Sequence, residues 1–308
     1  MGHDHGRAGG HAAGRAEDRG RLRIVLAVTA TVMVVELVGA WVAGSLALLA
    51  DAGHMATDAA AVVLALGASY VATRPAGKRS TFGWHRVEIL AALVNALVLL
   101  AVCVYLAWAG VQRLLDPPTV EAGPMVAFAA VGLLANAVSM LVLNRSDTGS
   151  LNLRAASLEV AADLLGSVLT VLAGLLIAVA GWQRADPLAS LVIAALILPR
   201  AISLLHDAAA VLLEIAPRGL DLDQVATRLG ELPGVLEVHD LHAWTITSGL
   251  SSLSAHVTVD DETLARDGVG AVLDRLCAVT TDDFGIAHAT FQVEPPAHRE
   301  HEDLGEAH

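Results

Sequence analysis

Apolar residues fall in long runs up to about residue 213 and in short, strand-length runs after it. A bilayer core is crossed by about 20 apolar residues in a helix. Six stretches reach that length, at approximately 22–43, 46–72, 87–114, 121–143, 155–180 and 186–206. The breaks between them are Gly44-Ser45, the polar stretch TRPAGKRSTFGWHR, Asp116-Pro117-Pro118, NRSDTGSLNLR, and the segment from Trp182 to Pro187. Two of these breaks are so short that the flanking helices must be antiparallel hairpins. Beyond Pro217 the pattern changes. Leu222, Val225, Ala226 and Leu229 recur at helical spacing, followed by the strand-like LEVHDLHAWTI and SLSAHVTV, a helical stretch near 262–280, and the strand-like HATFQVEP. The order αββαβ predicts a small sheet covered on one face by helices.

Composition agrees with this division. Hydrophobic residues make up 55% of the 308 residues and charged ones 17%, whereas soluble domains carry about 45–50% apolar residues. The fold class expected is an α-helical membrane protein of six transmembrane helices followed by an α+β domain. A net charge of −13 excludes nucleic-acid binding, which needs a surplus of Lys and Arg. Cys103 and Cys277 lack close-spaced thiol partners and read as packing residues. The first twenty residues are rich in Gly, His and Arg with no apolar core, so 1–20 is expected to be a disordered arm, and the acidic, His-containing tail 297–308 likewise loose. His3, His5 and His11 of the arm could collect metal loosely or be inert.

Basic loops are retained in the cytoplasm. Arg7, Arg15, Arg19, Arg21 and Arg23 precede the first span, Arg74, Lys78, Arg79 and Arg86 lie near the second loop, and Arg145 and Arg154 flank the fourth. The other side carries Arg113 and Arg184. Both termini are therefore expected in the cytoplasm, in keeping with an even number of spans, and the plasma (inner) membrane of the lipid bilayer is the expected location.

Ionisable side chains inside a membrane are costly and mark substrate or proton pathways. The second span holds DAGHMATD, with His54 and Asp58 four residues apart on one helix face, and the fifth holds LEVAAD, with Glu159 and Asp163 at the same spacing. One imidazole and three carboxylates from two helices make a four-ligand set for a divalent metal. Polar groups that merely glue a bundle are the competing reading, and two matched pairs weigh against it. Counted from the cytoplasmic side, Asp58 and Asp163 lie at similar depths, roughly 21 and 17 Å at 1.5 Å per residue. Asp51 is placed to attract metal leaving the site, and Glu36 to bond a neighbouring helix. In the α+β part, His239, His242, His256, His288 and Glu294 lie on elements that the sheet would bring together.

The runs SLALLADAGHMATDAAAVVLAL, FGWHRVEILAALVNA, LEVAADLLGSV, DPLASLVIAALIL and GVLEVHDLHAWTI occur in the order and character of cation diffusion facilitator proteins, which the chain resembles from about residue 21 to 296. That resemblance implies a homodimeric metal/proton antiporter, with residues 21–212 the six-helix cation efflux domain and 213–296 a cytoplasmic, ferredoxin-like metal-binding and dimerisation domain. It places His54, Asp58, Glu159 and Asp163 on the transport site, and His239, His256 and Glu294 on or near the cytoplasmic metal positions, with His288 shifted. Glu159 departs from the zinc-transporting branch, which usually has His there. The extra carboxylate favours harder ions such as manganese, so the expected cargo is zinc (Zn2+), with manganese- or cobalt/iron-selective export as alternatives. No nucleotide-binding loop of the G-x-x-x-x-G-K-[ST] type and no H-E-x-x-H pair is present, which weighs against ATP drive and an intramembrane metalloenzyme. A metal sensor is the remaining alternative. No catalytic cofactor is expected.

Overall fold

The computed structural model describes residues 6–144 and 151–299. Six long helices come first: α1 (Gly6–Ala43), α2 (Leu46–Ala72), α3 (Arg86–Leu115), α4 (Ala122–Asn144), α5 (Leu151–Ala180) and α6 (Ala185–Leu212). Each contains a stretch long and apolar enough to cross a membrane, the shortest being Ile24–Ala43 with 20 residues. The expected boundaries hold to within two residues except at the start of α1, at the start of α5, which begins four residues before 155, and at the end of α6, which continues six residues past 206. Continuation from Asp207 to Leu212 needs no special residue, since neither Gly nor Pro interrupts it. The arm also differs from expectation: α1 reaches back to Gly6, through a stretch where Ala and Arg favour a helix and five interspersed glycines oppose it. His3, His5, His301 and His308 lie outside the described residues.

The chain divides into two compact units, Met1–Leu64 with Val94–Ser203, and Ala65–Leu93 with Leu204–His308. In the first, α4 packs closely between α1 and α5. Small residues allow the close approach. A Cβ on Gly39 would lie 2.5 Å from the Phe128 ring across the α1–α4 contact, and one on Gly174 would lie 2.7 Å from Val126 across α4–α5. One end of the unit is stitched by Asp186, at the start of α6. Its carboxylate accepts hydrogen bonds from Ser45 Oγ (2.6 Å) and from the backbone N–H groups of Leu46 (2.9 Å) and Ala47 (3.0 Å). Those N–H groups belong to the unpaired first turn of α2, so an aspartate from another helix caps it. Arg113 donates to the Gly44 carbonyl at 2.7 Å and stands 3.6 Å from the same aspartate.

In the second unit, α7 (Leu222–Gly230), β1 (Val235–Thr247), β2 (Leu250–Val259), α8 (Asp261–Asp282) and β3 (His288–Glu294) form the expected αββαβ order, followed by a short α9 (Pro296–Arg299). The last of these occupies the start of the tail expected to be loose. Strand β2 is central, antiparallel to β1 and parallel to β3. The parallel pair requires a crossover, which α8 supplies. Leu253, Ala255, Val257 and Val259 of β2 alternate toward a core shared with Val225 and Leu229 of α7 and Val272 and Leu276 of α8. The opposite sheet face carries the polar positions His256, Thr258 and their neighbours. The same unit joins its helical part to its sheet through Thr247, which donates to Glu88 at 2.8 Å, and Arg86, 2.6 Å from Glu214.

Candidate metal centres

In α2, positions 54 and 58 fall on one face because a helix turns every 3.6 residues, and the same holds for 159 and 163 of α5. The structure brings the faces together. One ligand atom each from His54, Asp58 and Glu159 lie within 4.8 Å of one another. His54 Nε2 is 3.5 Å from Asp58 Oδ2 and 3.9 Å from Asp163 Oδ1. All four expected residues therefore meet. Their pairing across the helices differs from the depth estimate, which matched Asp58 with Asp163: His54 lies beside Asp163, while Asp58 and Glu159 share one cationic neighbour. With α2 and α5 antiparallel, the earlier residue of one pair meets the later residue of the other, and end-counting missed this by one turn.

Arg200 is that neighbour, and sequence reasoning missed it. Its Nη1 donates to Glu159 Oε1 at 2.6 Å and to Asp58 Oδ2 at 3.3 Å. A signal was available, since an arginine beside Pro199 in the sixth apolar stretch falls under the same rule that singled out the acids. His54 is buried, and its Nδ1 has no hydrogen-bond partner among the described residues. A cavity of about 190 Å³ opens against His54, Asp51 and Arg200. Asp51 is buried and accepts from Ser167 Oγ at 3.2 Å, which itself accepts from Asn136 at 3.3 Å. Glu36, expected to hydrogen-bond a neighbouring helix, is buried with its carboxyl beside Asp51 of α2 and against Gly132 of α4.

The second cluster forms on the open face of the sheet. His239 and His256 are directly opposed in the β1–β2 register, and Glu294 lies diagonally across from His256 on β3. One ligand atom from each falls within 4.8 Å of the others. His239 Nε2 is 3.2 Å from Glu294 Oε1, and the two imidazole rings meet edge to face at 5.4 Å. Two nitrogens and a carboxylate oxygen suit a borderline-soft dication such as zinc. Glu294 is held by Gln292 Nε2 at 3.1 Å and Thr258 Oγ1 at 3.4 Å.

His288 is not brought into this cluster, contrary to expectation. It shares the sheet face of Glu294 but sits six residues earlier on the strand, roughly 20 Å away at 3.3 Å per residue, with its ring edge-on to Phe82 at 5.4 Å. Asp240, not anticipated, takes a place instead. A bulge between the 239–256 and 242–254 pairings leaves Asp240 at a φ of 47°, and its two oxygens reach His242 (2.8 Å) and His256 (3.6 Å). Three residues apart in a regular strand, His239 and His242 would project to opposite faces; the bulge returns them to one face.

A membrane-spanning helical domain that gathers His, Asp and Glu side chains of metal-ligating type, joined to an α/β domain with a second such cluster, defines a multi-pass cation transporter rather than an enzyme. The chain belongs to the cation efflux family: residues 22–213 match the cation efflux transmembrane domain, and residues 217–296 match the cation efflux protein cytoplasmic domain. It is 41% identical over 293 residues to the metal cation efflux system protein CzcD of Cupriavidus metallidurans, covering 95% of this chain and 90% of that one. It is 41% identical over 303 residues to the zinc transporter ZitB of Escherichia coli, covering 97% and 94%. To the cadmium, cobalt and zinc/H(+)-K(+) antiporter of Bacillus subtilis it is 37% identical over 268 residues, covering 86% of each. A solved metal-bound C-terminal domain of the CzcD transporter is 40% identical, covering 24% of this chain and 99% of that one with a TM-score of 0.22.

Proposed function

We propose that this protein exports zinc from the cytoplasm in exchange for protons, with His54, Asp58, Glu159 and Asp163 as the transport site. The observation that carries the reading is the convergence of ligand atoms from His54, Asp58 and Glu159 within 4.8 Å inside the helical domain, with Asp163 3.9 Å from the same imidazole. Relatives named for zinc, cadmium and cobalt support a transition-metal dication as cargo. Protons and metal compete for the same lone pairs, which couples their movements without further machinery. Metal enters from the cytoplasm, the helices rearrange, and protons from outside displace it. The extra carboxylate of Glu159 widens the acceptable ions toward manganese relative to a site with two imidazoles.

The domain at 213–296 binds a regulatory dication through His239, His256 and Glu294, and pairs two copies of the chain. A metal that binds one arrangement of the pair better shifts the population by that difference in affinity. The protein lies in the plasma (inner) membrane with both termini in the cytoplasm, a reading supported by the basic residues on that side and by the even number of spans. Reconstitution into proteoliposomes tests the function: zinc flux should rise with an opposing proton gradient, with cadmium and cobalt following and manganese measurable. Absence of flux for every dication, in a preparation that binds zinc, would favour a sensor.

A further inference from the structure

Arg200 stands where a cation bound by the cluster would stand. One nitrogen, Nη1, lies 2.6 Å from Glu159 Oε1 and 3.3 Å from Asp58 Oδ2, and the same Asp58 oxygen is 3.5 Å from His54 Nε2. A guanidinium nitrogen within reach of both carboxylates occupies the space a metal ion shared by them would need, and its positive charge repels a dication there. Charge points the same way. Glu159 gives the cluster three carboxylates, and the guanidinium cancels the additional one. Arginine keeps its charge under all ordinary conditions, so it cannot step aside by losing a proton; it must move. Its side chain is 43% exposed, and such a long stem can carry its head toward water while the rest stays packed. Pro199, one residue before, removes a backbone N–H from α6 and frees a carbonyl one turn earlier, which loosens the helix at this position.

We propose that Arg200 is a tethered counter-cation that trades places with the transported metal, holding Glu159 and Asp58 when the site has no metal and withdrawing when the metal binds. The proposal rests on the reading of His54, Asp58, Glu159 and Asp163 as the transport site. Its consequence is a limit on affinity: each binding event breaks the Arg200 contacts, and each release is helped by their return. The guanidinium thereby offsets the stronger pull that a third carboxylate exerts on any dication, and a site of high charge still lets go of its cargo.

Two measurements on the purified full-length protein test this. Zinc affinity and dissociation rate are compared in protein carrying His239→Ala and His256→Ala, which removes the cytoplasmic ligands, alone and together with Arg200→Gln, Arg200→Lys or Asp163→Ala. Arg200→Gln should bind zinc about tenfold more tightly or better, and release it correspondingly more slowly, because a nearby positive charge is gone. Arg200→Lys should remain close to the double variant alone. In wild-type protein, phenylglyoxal labelling of Arg200, located by mass spectrometry, should speed up several-fold when zinc is added. Unchanged or weaker zinc binding in a monodisperse Arg200→Gln, or labelling of Arg200 indifferent to zinc, would overturn the exchange; the labelling result stands even if the variant does not fold. Asp163→Ala separates the two levels. If it binds zinc like the double variant alone, the transport-site reading fails, whereas loss of binding there with no effect of Arg200→Gln removes only the proposal.

Discussion

The intramembrane and cytoplasmic clusters use the same donor types, imidazole and carboxylate, on different scaffolds. Inside the helical domain, two pairs four residues apart face each other across α2 and α5, and an arginine from α6 fills the space between carboxylates. On the sheet, His239, His256 and Glu294 come from three different strands and their meeting depends on register. The helical cluster can change when one helix shifts or turns against another. The sheet cluster is fixed by backbone hydrogen bonds and changes only with the whole domain. The first arrangement suits a cargo that must be taken up and released, and the second a bound ion that signals.

If that division holds, variants should separate cleanly. Asp163→Ala removes one of three carboxylates from the buried cluster and should reduce zinc flux to background, measured in proteoliposomes. Glu159→His comes next. With Arg200 left beside an imidazole, affinity for every dication should fall by about tenfold or more, and adding Arg200→Gln should recover zinc binding while leaving manganese weak, measured by equilibrium binding of both metals. His239→Ala with His256→Ala should leave flux at saturating zinc within about twofold of wild type while flattening the response to low zinc; complete loss of flux in a folded double variant would place the sheet cluster on the route itself.

Smaller effects test the framework. Gly132→Ala places a methyl onto the Glu36 carboxyl, and overpacking of this kind costs about 1–3 kcal/mol, which should lower the melting temperature. A normal melting temperature would mean that α1 and α4 separate easily there. In α8, Arg266 and Arg275 hydrogen-bond the Asp267 carboxylate at 2.8 and 2.9 Å and hold its pKa at about 2, below the ordinary 3.8. The folded carboxylate loses its proton more readily than the unfolded one, so its contribution to stability is present above about pH 4 and is lost as pH falls through about 2. Asp267→Asn should therefore be slightly less stable than wild type at neutral pH, with the difference vanishing below pH 2, as thermal melts across pH would register.

The two clusters also differ in how far they could be read from sequence. His54 with Asp58 and Glu159 with Asp163 are local patterns, visible because helical periodicity maps four-residue spacing onto one face. The partnering between helices is not local, so the depth estimate paired Asp58 with Asp163, while the structure places Asp163 beside His54. Arg200 was overlooked because it was treated as part of an apolar span and not as a cost needing a partner. On the sheet, the strands and the αββαβ order follow from alternation, but the contacts come from register and from the bulge at Asp240. A bulge leaves no reliable mark in composition, which is why Asp240 was missed. His288 was included because it begins the strand that Glu294 ends, and strand rise alone separates them.

The central claim is that the cargo passes through the His54, Asp58, Glu159 and Asp163 cluster. The most direct measurement is radiolabelled zinc uptake into proteoliposomes by Asp58→Ala, alongside wild type and with circular dichroism and thermal melts to establish that the variant is folded. Uptake at the level of protein-free vesicles is the result expected. Uptake at the wild-type rate would contradict the account and move the metal's route elsewhere in the helical domain.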